Sequence, residues 1–205
     1  MYPQEINSLP STRCPRCHLL KVACLCTKVP ALESFALFFL LVHQRELGKG
    51  SNTGHLVLNA FEGAQFECWA RVEPPENLMA LLNSPAYQGY LLFTAEEGAT
   101  PVAFAPVKAG VRPVYILIDA TWQQARKMVR QSPYLQNLPR LSLSGSSKSR
   151  YRLRRNQLDV GLSTCEAAIG LLQQSGEKGN AQVLNQYFSD FMCHYDASMS
   201  GHGVD

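Results

Sequence analysis

The chain has 205 residues, of which 46% are hydrophobic and 17% charged, and its formal net charge is +3. This length suits one globular domain with a small appendage, and so mild a charge does not by itself indicate a polyanionic partner. No segment approaches the roughly 18 apolar residues of a membrane span, and the N-terminus lacks a secretory signal, so we expect a cytoplasmic protein without disulfides.

A cysteine cluster comes first along the chain. Cys14, Cys17, Cys24 and Cys26 form a C-x2-C pair and a C-x-C pair. Four thiolates at these spacings suit tetrahedral zinc, and the metal would be structural because no coordination position is left for water. Four reduced surface cysteines or a redox pair are the alternatives. We predict a zinc-binding segment over residues 1–30 and the main domain over residues 31–205.

Strand-like and helix-like patterns alternate after this segment, which predicts an α/β fold. Three continuously apolar runs, 35–42, 90–93 and 114–118, are typical of parallel strands buried on both faces. Weaker strand candidates are 66–71 and 141–143. Helices are expected at five places: after residues 51–53, after Pro75, over 123–131, from about 162 to Gly176, and through 183–191. The tail from Ser198 is expected to be frayed.

A glycine-rich loop, residues 48–54, precedes the first of these helices. Its GxGxxxG spacing matches neither a dinucleotide-binding loop nor a P-loop. Its amide groups could still face an anion at the helix start, or the loop could be an ordinary helix cap.

Asp119 and Trp122 stand where the third apolar run ends. Open α/β sheets bind ligands at the carboxyl ends of their strands. A carboxylate there could act as a general base or hold a cationic ligand, and the indole could lie against a sulfonium. Alternatively, Asp119 caps the next helix and Trp122 fills the core.

A basic segment follows the polar loop 144–149. Its cations and one aromatic residue are Lys148, Arg150, Tyr151, Arg152, Arg154 and Arg155. In an extended chain, alternate arginines share one side and suit phosphates, while the tyrosine could meet a base. We interpret the segment as RNA-binding, with a solvated charged loop as the alternative.

The next predicted helix begins with two hydroxyls and a carboxylate, those of Ser163, Thr164 and Glu166. Ser163 with Glu166 also forms a capping-box pattern. Cys165 has no evident histidine partner and is not predicted to be a nucleophile.

Taken in order, six segments resemble the DTW-domain family of tRNA-uridine aminocarboxypropyltransferases. They are CPRCHLLKVACLC at 14–26, LLVH at 40–43, SNTG at 51–54, DATW at 119–122, YRLRR at 151–155 and LSTCEA at 162–167. Gln44 departs from the pattern, because many relatives are expected to carry proline there. The resemblance implies a SPOUT-like α/β fold with a mostly parallel sheet flanked by helices. The chain would be knotted around an S-adenosylmethionine (SAM) site, and a small zinc-binding segment would precede this fold in the sequence.

The resemblance also implies a reaction, the transfer of the 3-amino-3-carboxypropyl group of SAM to N3 of a uridine in tRNA, leaving methylthioadenosine. On this basis Asp119 accepts or steers the N3 proton and Trp122 packs on the SAM side chain. The implied cofactor-binding residues are Ser51, Asn52, Thr53, Thr121, Leu162, Ser163, Thr164 and Glu166. A SPOUT-type RNA methyltransferase and a non-catalytic zinc-containing RNA-binding module are the alternatives, and no obligate protein partner is indicated.

Overall fold

The computed structural model describes residues 12–93, 109–143, 162–201 and 203. The centre of this part of the chain is an all-parallel, five-stranded sheet in the order β2-β1-β4-β3-β5. Its strands are β1 Leu37–Val42, β2 Gln65–Cys68, β3 Tyr87–Leu92, β4 Arg112–Asp119 and β5 Arg140–Leu141. The three apolar runs predicted as buried strands become the adjacent central strands β1, β4 and β3.

Helices cover both faces of the sheet. They are α1 Gly54–Ala60, α2 Glu76–Asn83, α3 Trp122–Gln131, α4 Pro133–Gln136, α5 Thr164–Gln174 and α6 Lys178–Ser200. All six residues of β1 are buried, because alternate side chains enter two separate cores. Phe38, Leu40 and Val42 pack with α1, α5 and α6, whereas their neighbours Leu37, Phe39 and Leu41 pack with α2, α3 and α4. The predicted α/β class, a parallel sheet flanked by helices, is confirmed.

The N-terminal residues 12–28 form a small head that packs against α6. Leu19 and Leu25 of this head are fully buried in the core that α5 and α6 share. His194 Nδ1 of α6 lies 3.1 Å from the carbonyl oxygen of Ala23, and Ser198 Oγ accepts a 2.9 Å hydrogen bond from the N–H of Leu20. Hydrogen bonds and buried apolar contacts therefore hold the head against the C-terminal helix.

Several predicted boundaries are wrong. Strand β2 ends at Cys68 and does not reach residue 71, β5 is Arg140–Leu141 and not 141–143, and α6 begins at Lys178, before the predicted 183. The tail from Ser198 is not frayed, because α6 continues to Ser200 and ends at Gly201, whose φ of 76° is left-handed. Ser198 is buried against the head, a contact that the helical pattern alone does not predict.

No helix in the described ranges is long and apolar enough to cross a membrane. The division at residue 30 and the knot are not tested by these residues, and both stay predictions.

Candidate functional site

Asp119, the last residue of β4, is fully buried and joins two distant segments. Its Oδ2 accepts a 2.6 Å hydrogen bond from Asn52 Nδ2, and its Oδ1 accepts a 2.8 Å hydrogen bond from Thr164 Oγ1. We call Asn52, Thr53, Asp119 and Thr164 the Asp119 cluster. The sequence predicted all four as site residues, and the fold brings them together at the carboxyl edge of the sheet.

Asn52 and Thr53 fix the start of α1 within this cluster. Asn52 Oδ1 accepts a 2.7 Å hydrogen bond from the N–H of Gly54, the first residue of α1. The Thr53 hydroxyl does not cap α1 and instead accepts a 3.2 Å hydrogen bond from the N–H of Cys165 in α5. The starts of α1 and α5 are thus bonded both to each other and to β4.

Gly54 allows this close approach. A Cβ atom at this position would lie 2.5 Å from Asp119 Oδ2 and 2.9 Å from Leu40 Cδ2. Any side chain would therefore displace the carboxylate or the helix. The glycine of the SNTG segment is required by packing against Asp119, and its backbone needs no positive φ.

Two capping boxes fix the neighbouring helix starts. Thr121 caps α3 together with Gln124, and Ser163 caps α5 together with Glu166, as the sequence predicted for the second pair. Asp119 is therefore not the cap of α3, which was one alternative interpretation. Ser163 and Glu166 are both buried, and the Glu166 carboxylate accepts the Ser163 N–H at 2.9 Å.

Trp122 lies at the rim of the cluster, and 52% of its surface is exposed, so it is not core filler. One ring face stacks on Phe93, with centroids 5.2 Å apart and planes within 17°. The guanidinium carbon of Arg140 lies 5.8 Å from the Phe93 centroid.

Three other predicted cofactor-binding residues are at least partly accessible. Leu162 is exposed, while Ser51 and Thr121 are half-buried.

Sequence reasoning missed Phe93 and Arg140. Phe93 is the last residue of the apolar run 90–93 and directly follows β3, which places it at the same carboxyl edge as Asp119. Its position in the run could have indicated this. Nothing in the local pattern of Arg140 indicates a contact with that ring.

His43 follows β1 at this edge and stacks on Trp69 at a centroid distance of 6.0 Å. Trp69 Nε1 donates a 2.8 Å hydrogen bond to Ser132 Oγ, which orients the indole. Burial lowers the pKa of His43, and the cation of Arg45 lowers it further, while Glu46 opposes this and Lys127 and Lys49 add to it. Several cations therefore lie near this end of β1.

The four cysteine sulfurs of the head lie within 4.8 Å of one another. The Cys14–Cys26 and Cys17–Cys24 sulfur pairs are 3.6 and 3.7 Å apart. Tetrahedral zinc with Zn–S bonds of about 2.3 Å separates its sulfurs by about 3.8 Å. The predicted ligand set could therefore hold a zinc ion.

The thiols of the cluster differ in their pKa values. Burial acts to raise the pKa of Cys14, but backbone hydrogen bonds from Cys17 and Arg16 and contacts with neighbouring thiols lower it to about 7. Burial raises the pKa of Cys17 to about 11. Burial, followed by the charge of Cys17, also raises the pKa of Cys26. Cys14 is therefore the thiol of the cluster that loses its proton most readily, and the thiolate is the form that binds metal.

The head contacts α1, the helix that directly follows Asn52 and Thr53 of the Asp119 cluster, through two buried histidines. His18, which has a φ of 60°, stacks on His55 of α1 at a centroid distance of 5.8 Å. Burial and then His18 lower the pKa of His55 to about 3, so His55 is neutral. His55 directly follows Gly54, and the cysteine segment therefore supports the helix whose start is bonded to Asn52.

The predicted RNA-binding residues 148–155 lie outside the described residues, and their role stays a prediction.

Comparison with known proteins gives one family match. A family model described as the DTW domain matches residues 11–196, which include the cysteine cluster, the Asp119 cluster and most of α6. No solved structure matches the chain.

Proposed function

Because the chain belongs to the DTW-domain family of tRNA aminocarboxypropyltransferases, which fits a tRNA-modifying enzyme, we propose that it transfers the 3-amino-3-carboxypropyl group of SAM to a tRNA uridine. A bond forms between uridine N3 and the methylene carbon next to sulfur as that carbon–sulfur bond breaks. The bonding electron pair leaves with sulfur in methylthioadenosine, and the N3 proton is lost.

The observation that carries the proposal is the assembly of the Asp119 cluster. Its residues come from three family segments, SNTG, DATW and LSTCEA, and the shortest hydrogen bonds between these segments all involve Asp119. A protein that only binds RNA has no need for a fully buried carboxylate at the carboxyl edge of a parallel sheet. That edge is where α/β enzymes bind their ligands.

The residues at the rim fit a ligand that is partly aliphatic and partly charged. Trp122 offers an exposed indole face, which attracts a cation such as a sulfonium, and Leu162 adds exposed aliphatic surface. SAM, when bound, supplies three carbons activated by one sulfonium. The rim residues therefore have to orient the ligand so that the aminocarboxypropyl carbon, and not the methyl group, faces uridine N3.

We propose that Asp119 mainly positions the residues bonded to it and does not itself transfer a proton. It has no exposed surface, and both of its carboxylate oxygens accept hydrogen bonds from Asn52 and Thr164. A base that removes the N3 proton must come within hydrogen-bond distance of that nitrogen. The buried geometry favours Asp119 as the residue that holds the donor pocket together, with direct proton transfer as the competing role.

Isotopic labelling tests the proposed transfer. The protein is incubated with unmodified tRNA and SAM labelled either in the carboxyl group or in the methyl group. We expect label in tRNA only from the carboxyl-labelled donor, because the methyl group leaves with the thioadenosine. Label from the methyl group would indicate an RNA methyltransferase, and label from neither donor would indicate a binding module.

A further inference from the structure

Helix α3 begins at the candidate site and presents a basic face to solvent. Its buried residues Ala125, Met128 and Val129 pack against the sheet. Trp122, Arg126 and Arg130 are exposed and follow one another at intervals of four residues, so they form one stripe along the helix. Each interval advances about 6 Å along the axis, which places Arg130 about 12 Å from Trp122.

The charge on this face is of one sign. Residues 122–131 contain Arg126, Lys127 and Arg130 and no aspartate or glutamate. Within the part of the chain that the structure describes, these three cations form no salt bridge, whereas Lys49 is paired with Glu46 at 2.9 Å. Unpaired cations concentrated on one helix face repel each other, so this arrangement favours a polyanionic partner.

A further cation adjoins this face. Arg45, just after β1, is exposed and acts electrostatically on His43, as does Lys127 from α3. The cations of both segments therefore lie near the carboxyl end of β1, the same edge as the Asp119 cluster. The positive surface begins beside the exposed indole and continues along α3.

We propose that this surface, Arg126, Lys127 and Arg130 of α3 with adjoining Arg45, binds the phosphate backbone of the tRNA and presents the acceptor uridine at the Trp122 end of the helix. The identity of the RNA rests on the proposed function. Contacts to phosphate position a nucleic acid without reading its sequence. The surface therefore sets the distance between bound backbone and reacting base and does not itself read the sequence.

The test is binding of unmodified tRNA, in the absence of SAM, at several salt concentrations. The variant is the triple substitution Arg126→Gln, Lys127→Gln and Arg130→Gln. We expect its affinity to fall at least about tenfold at low salt, because each lost phosphate contact reduces the slope of log affinity against log salt by about 0.7 to 0.9. Its SAM affinity and thermal midpoint should stay at wild-type values, because all three side chains are exposed.

The control for loss of a cation outside this surface is Lys178→Gln, at an exposed lysine at the start of α6. Its neighbour Glu177 accepts a hydrogen bond from Ser34 before β1, which places Lys178 at the opposite edge of the sheet. We expect this variant to bind tRNA with the wild-type slope. The proposal is overturned if the triple variant has the same affinity and slope as the control.

The two proposals can fail separately when this binding experiment is combined with the labelling experiment on the same proteins. If wild-type protein binds tRNA through α3 but transfers no group from SAM, the proposed function fails and the surface stands. If transfer occurs and the triple variant binds and reacts like wild type, the surface fails and the proposed function stands.

Discussion

Asp119 bonds to residues 67 and 45 positions away along the chain, through Asn52 and Thr164. Both bonds are short and both lie where water has no access. Removing the carboxylate would leave two buried donors without their acceptor, and each unsatisfied group costs about 1 to 3 kcal/mol. The Asp119 side chain is therefore bonded to both of the other segments of the site, which also share the bond between Thr53 and Cys165.

We predict that Asp119→Ala lowers the transfer rate on the order of 10²-fold or more. The proposed positioning role requires that SAM affinity also falls, because Asn52 and Thr164 lose their common partner. Isothermal titration calorimetry of SAM binding, alongside the rate measurement, separates the two roles. A variant that binds SAM and tRNA normally but reacts slowly would indicate a general base, and normal turnover would exclude both roles.

At Trp122 we predict a difference between two substitutions. Trp122→Ala removes the exposed ring face and should raise the KM for SAM roughly tenfold or more, whereas Trp122→Phe keeps an aromatic face stacked on Phe93 and should lose less. Steady-state kinetics with saturating tRNA provides the measurement. Equal KM values for wild type and Trp122→Ala would remove Trp122 from the donor site.

At the scale of elements, the site consists of the starts of α1, α3 and α5 beside the ends of β1 and β4. The apolar runs predicted these strands, and the Ser163–Glu166 pair predicted the start of α5, because both signals are local. The contacts between Asn52, Asp119 and Thr164 could not be derived from spacing, because they depend on how distant segments pack. Only the order of the family motifs indicated that these residues act together.

Gly54→Ala tests the close approach of α1 to β4. The added Cβ would contact Asp119 and Leu40, so we expect a loss of about 1 to 3 kcal/mol in the free energy of unfolding, the usual cost of overpacking. Gly179→Ala in α6 is the control, because its Cβ meets nothing within 4 Å and alanine favours helix. Chemical denaturation that gave both variants the same stability would contradict the predicted contact.

At the scale of the whole molecule, the cysteine head is part of the same structure as the site. It is fastened to α6 through Ala23 and Leu20 and touches α1 through the stacked pair His18 and His55. The sequence predicted the four ligands from their spacing. It did not indicate the contact with α6, and this is the reason for the wrong expectation of a frayed tail.

We predict that wild-type protein carries one zinc ion per chain and that Cys14→Ser with Cys17→Ser loses it. The thermal midpoint should then fall, and SAM affinity should fall as well, because the head supports α1. Metal analysis by mass spectrometry and thermal unfolding provide the readouts. Cys193→Ser, an exposed cysteine on α6, should change neither quantity.

Acidification should act in the same direction as these substitutions. Zinc binds thiolates, and protons compete for them, so the metal is retained at neutral pH and released as the pH falls. If the double variant keeps the wild-type metal content and thermal midpoint, the four cysteines are not the ligand set.

The parallel sheet confirms the α/β class that the alternating patterns predicted, and the match over residues 11–196 confirms the family inferred from six short segments in order. Nucleoside mass spectrometry of tRNA incubated with the protein and SAM tests the central claim most directly. We predict one uridine species heavier by an aminocarboxypropyl group, and much less of it at equal reaction times when Asp119→Ala replaces the wild-type protein. A uridine heavier by a methyl group, or no modified nucleoside with tRNA and SAM both bound, would contradict the account.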